Sequence, residues 1–153
     1  MAGVCTVPLP SQDPTPETDE RVRSVDRRRK LGRFGEQLAA AHLERLGYTI
    51  LARNVRTRHG EIDLIGHGQH AVVVVEVKTR CVRSRTTRIR AEQEPLQWLH
   101  PRQRARLRRL AVAWLAQTSG ERPSGACIRF DAIGVLVDPG GRLLRLDHVE
   151  GAW

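Results

Sequence analysis

At 153 residues, 40% of them hydrophobic and 28% charged, the chain has the size and polarity of one globular domain that can bury a core without disulfides or metal. No stretch reaches the ~20 apolar residues of a membrane helix, and the N-terminus lacks the apolar core of a secretory signal. Neither a spanning segment nor export is expected, and the expected location is cytoplasmic. Lysine and arginine total 26 against 17 acids, for a net charge of +9 and a pI of 11.0; an excess of this size is the footprint of a nucleic-acid partner.

In chain order, residues 1–26 read as a disordered leader, because Pro8, Pro10, Pro14 and Pro16 interrupt a polar stretch. A first helix is expected over 27–46. It opens on Arg27-Arg28-Arg29-Lys30, carries Leu31, Phe34, Leu38, Ala41 and Leu46 at near-helical spacing, and ends at Gly47. Glu36 falls off that stripe, which by spacing makes it a solvated helix residue. Residues 48–54 alternate as a first strand, and Gly60 punctuates the turn that follows. His59 in that turn reads as solvated.

Two strands come next, Gly60-Glu61-Ile62-Asp63-Leu64-Ile65 and Ala71-Val72-Val73-Val74-Val75-Glu76-Val77-Lys78-Thr79-Arg80. Both are apolar enough for a core, yet both carry acids, and an unpaired buried carboxylate is costly. Residues two apart share a face, so Glu61 goes with Asp63 and Glu76 with Lys78. If the short 66–70 segment closes an antiparallel hairpin, one register sets Asp63 opposite Glu76 and Glu61 opposite Lys78. A slip of one residue separates the two sets. In the first register three carboxylates and one amine converge, and clustered carboxylates favour a hard divalent ion. The bland reading is a solvated hairpin face joined by cross-strand ion pairs.

Residues 79–90 hold Arg80, Arg83, Arg85, Arg88 and Arg90 and no acid, which reads either as a loop that orders on a polyanion or as a charged surface loop. A second long helix is expected over 101–117, with Leu107, Leu110, Ala111 and Trp114 as its apolar stripe and Arg102, Arg104, Arg106, Arg108 and Arg109 crowding its first half. Residues 120–125 form a loop. Residues 127–137 read as a strand with Asp131 in apolar company, in a mainly structural role. Asp138-Pro139-Gly140-Gly141 is a turn into a last strand carrying Leu143, Leu144 and Leu146. Cys5, Cys81 and Cys127 are too widely spaced for a zinc motif and read as reduced thiols.

An acid on one strand followed by Glu-x-Lys on the next resembles the PD-(D/E)xK nuclease signature. Gly35-Glu36 upstream, Leu46-Gly47-Tyr48 and Arg53-Asn54 after it, and Phe130-Asp131 downstream complete a resemblance to the YraN-like bacterial family over about residues 30–153. The resemblance implies an α/β, restriction-endonuclease-like core: a mixed central β-sheet flanked by helices, in a single nuclease-like domain over 27–153. It implies Asp63 and Glu76 as ligands of Mg²⁺ or Mn²⁺. In related folds, archaeal Holliday-junction resolvases among them, a helix glutamate placed like Glu36 supplies a third ligand. Lys78 would be catalytic, Glu61 an accessory acid, and Arg33, Arg80, Arg102 and Arg106 contacts to nucleic acid, DNA first. Cutting a junction would take a homodimer. Gln103 stands where such relatives often carry lysine.

The leading expectation is therefore a metal-dependent nuclease. The alternative is a non-catalytic nucleic-acid-binding module on the same fold, in which the arginines do the work. A third reading is an adaptor whose basic surface meets an acidic protein.

Overall fold

The computed structural model describes residues 16–57, 59–68, 70–82, 100–118 and 127–153, with side chains from residue 23 onward. The elements run α1 (Pro16–Arg45), β1 (Thr49–Thr57), β2 (Gly60–Gly68), β3 (Ala71–Cys81), α2 (Pro101–Gln117), β4 (Cys127–Val137) and β5 (Leu143–Val149). The strands form one mixed sheet in the order β1-β2-β3-β4-β5, antiparallel except for the parallel β3–β4 pair. One helix covers each face. This is the expected α/β arrangement, consistent with a nuclease-like core.

β3 is central and covered on both sides, so it reads as an unbroken valine run instead of an alternating strand. Val73, Val75 and Val77 pack with Ala39, Ala40 and Leu43 of α1. Val72 and Val74 pack with Leu107, Leu110 and Ala111 of α2. The α1 stripe is shifted from the expected one. Leu31, Phe34 and Leu38 do face the core, but Ala41 and Leu46 are exposed and Ala39, Ala40 and Leu43 take the buried positions.

α1 also begins at Pro16, well before residue 27, so part of the expected disordered leader is helical. Proline suits a first helical turn, Glu17, Asp19 and Glu20 favour its positive end, and no glycine or proline interrupts 17–31. Residues 1–15 lie outside the described residues, as do most of the arginine-rich 79–90 segment and the 120–125 loop. α2 and β4 have the expected bounds. No helix of the described residues is long and apolar enough to cross a membrane, and Cys81 and Cys127 are free thiols.

Candidate functional site

The β2–β3 ladder runs Gly68↔Ala71 to Leu64↔Val75 and then stops. Beyond that point β2 stays with β1 as far as Thr57↔Gly60, while β3 stays with β4 as far as Cys81↔Val137. The sheet forks there. Asp63 and Glu76 are the first residues past the fork, and the register is the one that sets them opposite each other. Asp63 holds the fork open: its Oδ2 accepts the Val77 N–H at 2.8 Å, so a side chain replaces the next rung of the ladder.

Glu76 is 3% exposed, in β3 beneath α2. Its Oε1 accepts short hydrogen bonds from Lys78 Nζ and from Gln103 Nε2. Gln103 was not expected at the site, yet its place is readable in hindsight. It lies four residues before Leu107, on the buried face of α2, where a polar side chain needs a partner.

Glu36 arrives from the other helix. Gly35 rides on β3 so closely that a Cβ there would lie 2.8 Å from Thr79 Cβ. Any side chain at 35 would push α1 off the sheet. The close approach brings Glu36 near enough for its charge to act on Asp63. Glu36 also lines a cleft of about 190 Å³ with Arg33, Arg53, Asn54 and Leu64. Asn54 adopts a left-handed conformation, φ 52°, at that wall, one that asparagine tolerates better than most residues.

One expectation about the hairpin needs correction. Glu61 does not meet Lys78; it lies 3.6 Å from Arg56 on β1, partly exposed. The cause is the fork. Ile62 packs beneath α2 and Leu64 beneath α1, although residues two apart share a face in a flat strand, so β2 twists through Asp63 and carries Glu61 away. Of the basic candidates, Arg33 lines the Glu36 cleft. Arg106 packs by the Gly60 backbone, 3.1 Å from where a Cβ would stand. Arg80 and Arg102 are exposed and do not join the acids.

Residues 35–135 match the Uncharacterised protein family UPF0102. The chain is 46% identical over 116 residues to a UPF0102 protein of Acidothermus cellulolyticus, covering 71% of this chain and 83% of that protein. It is 41% identical over 125 residues to one from Chloroflexus aurantiacus, covering 82% and 93%. A Syntrophomonas wolfei relative is 38% identical over 125 residues, covering 82% and 98%. The chain belongs to the UPF0102 family. The segment matched to UPF0102 contains Glu36, Asp63, Glu76, Lys78 and Gln103 together.

In this UPF0102 chain burial raises the Asp63 pKa to about 7, helped by the charges of Glu76 and Glu36 and opposed by the Val77 N–H and Lys78. No group of three or more His, Cys, Asp or Glu among the described residues is gathered as a ready-made metal cage. The donor set nevertheless fits a hard cation: every donor is a carboxylate oxygen, and Asp63 and Glu76 are held together at a cost that a positive charge relieves.

The raised Asp63 pKa has a stability consequence. The folded state binds a proton more tightly than the unfolded chain, whose carboxyl has its ordinary value of 3.8. Stability contributed by the protonated group is complete below about pH 4 and is lost as pH rises through about 7. Asn is uncharged and can still accept the Val77 N–H. In metal-free buffer, Asp63→Asn is expected to stabilise the fold at pH 8 by on the order of 2 kcal/mol and to have little effect near pH 4. Urea unfolding at the two pH values measures this; equal shifts at both would contradict it.

Proposed function

We propose that the protein is a metal-dependent nuclease that hydrolyses phosphodiester bonds in DNA. The observation that carries this reading is the fork, where Asp63 and the buried Glu76 meet with Lys78 held beside them. Asp63 and Glu76, with Glu36 as the third acid, would hold Mg²⁺ or Mn²⁺. Bound there, such an ion supplies polarisation of a phosphoryl oxygen and a nucleophile drawn from water. Lys78 Nζ, anchored on Glu76, donates to the phosphate and stabilises the charge that grows on it as water oxygen bonds to phosphorus and the ester P–O bond breaks. Gln103 fixes the Glu76 carboxylate from α2. Arg33 offers a phosphate anchor in the cleft beside Glu36. The net charge of +9 supports a polyanionic substrate.

One observation favours the second reading, a non-catalytic nucleic-acid-binding module. Glu76 Oε1 already accepts from both Lys78 and Gln103, which satisfies the acid without a metal. That reading predicts affinity that falls steeply with salt and no turnover.

Calorimetric titration of Mn²⁺ into the wild type and into Asp63→Ala with Glu76→Ala, with and without DNA, separates the two. The nuclease reading expects metal binding in the wild type and at least a tenfold loss in the double variant. It also expects cleavage of linear or branched DNA by the wild type alone. Intact cleavage by purified Asp63→Ala would sink the assignment of the site, and salt-sensitive binding without turnover under either metal would leave the binding module.

A further inference from the structure

The proposed reaction leaves unused a second cluster of titratable side chains, on the α1 face of the sheet. Its base is Asp131 of β4, which is fully buried. Arg129 Nε donates to Asp131 Oδ1 at 2.8 Å, Arg129 Nη2 to Oδ2 at 2.8 Å, and the Gly151 N–H to Oδ1 at 2.9 Å. His148 Nε2 lies 3.0 Å from Oδ2. Burial pushes the Asp131 pKa up, but the hydrogen bonds from His148, Arg129 and the Gly151 N–H outweigh it and hold the carboxyl below its usual value. Asp131 is therefore an ionised acceptor, and His148 Nε2 carries the proton it accepts.

That proton fixes the His148 tautomer. With Nε2 turned to Asp131, His148 presents its other ring nitrogen, Nδ1, toward α1. This nitrogen faces His42 Nε2 of α1 at 3.3 Å, with the two rings crossed at 81°. The two ring nitrogens stand within hydrogen-bond distance of each other, and a metal ion would take the place of the proton they share. Two imidazole nitrogens on a tetrahedral Zn²⁺, each about 2.0–2.1 Å from the metal, stand ~3.3–3.4 Å apart. The nearby cations do not close the locus: Arg129 is answered by Asp131 and by Glu150 at 3.0 Å, which leaves Arg45 as the opposing charge.

We propose that His42 Nε2 and His148 Nδ1 form a two-histidine site for a transition-metal cation of the Zn²⁺ class, with water completing its coordination. Asp131 is the orienting carboxylate behind the ligand, as metal-bound imidazoles commonly have. Nitrogen donors select this class over Mg²⁺, so the site is chemically distinct from the all-carboxylate fork. It joins the C-terminal half of α1 to β5, and occupancy would tie these elements together.

The test is calorimetric titration of Zn²⁺ into the full chain, with its thiols alkylated and Mg²⁺ in excess. The expected result is one Zn²⁺ per chain, weakened at least about tenfold by His42→Asn and by His148→Asn and unchanged by Asp63→Ala with Glu76→Ala. His148→Asn also removes a partner of Asp131, so His42→Asn, at a half-buried helix position, is the deciding variant. Co²⁺ in place of Zn²⁺ should give a visible absorption band that His42→Asn abolishes. Absence of saturable Zn²⁺ binding, or equal binding by the wild type and His42→Asn, would overturn the proposal. Neither outcome depends on whether the fork cleaves DNA.

Discussion

Asp131→Ala is expected to cost the fold about 3 kcal/mol, at the low end of the range for breaking a buried ion pair by removing one partner. Asp131 is fully buried and accepts from Arg129, His148 and the Gly151 N–H. Alanine removes the acceptor of all of these contacts at once and leaves the Gly151 N–H and the His148 ring nitrogen without it. The loss is moderated because Arg129 keeps Glu150 at 3.0 Å and the Tyr48 hydroxyl at 2.7 Å, and because its side chain is 22% exposed. The pH dependence has a definite sign. The native Asp131 pKa lies below the ordinary value of 3.8, so the unfolded chain binds the proton more tightly. The contribution is complete above about pH 4 and is lost as pH falls through the native value. Urea unfolding at pH 7 should therefore separate wild type and variant widely, and at pH 3 less so. A difference below about 1 kcal/mol at pH 7 would show that the cluster is not a keystone of the β4–β5 end.

Lys78→Ala is expected to lower the DNA cleavage rate by about 10²–10³, the cost of removing one donor aimed at developing charge, while DNA binding survives. Metal affinity gives a second readout of opposite sign. Lys78 is one of two donors on Glu76 Oε1, so its removal frees that oxygen, and Mn²⁺ affinity should hold or rise. Cleavage and metal affinity that fall together would assign Lys78 to holding the β3 end in place, with no direct role in the reaction.

Much of this arrangement follows from local rules. Residues 101–117 carry apolar side chains at helical spacing behind a proline, and α2 has those bounds. Residues 127–137 are bounded by turn residues, and β4 has those bounds too. The hairpin register stayed open to a one-residue slip, and the β2–β3 ladder is the one that sets Asp63 against Glu76.

The remainder depended on contacts distant in sequence. Glu61 and Asp63 are two apart, and a flat strand would aim them alike; the Asp63–Val77 hydrogen bond and the twist of β2 at the fork separate them. Gln103 and Glu76 come from different elements, and only the packing of α2 on β3 brings them together. His42 and His148 stand 106 residues apart and meet because α1 crosses the sheet beside β5. Periodicity and turn chemistry are properties of neighbouring residues, so the sequence by itself determined the order of the elements and the acids on the two central strands, while Glu36 entered only through the family resemblance and the start of α1 at Pro16 was not read. Which polar groups share a buried volume is set by how the layers pack, and only the tertiary structure decided the partners of Glu76, Asp63 and Asp131.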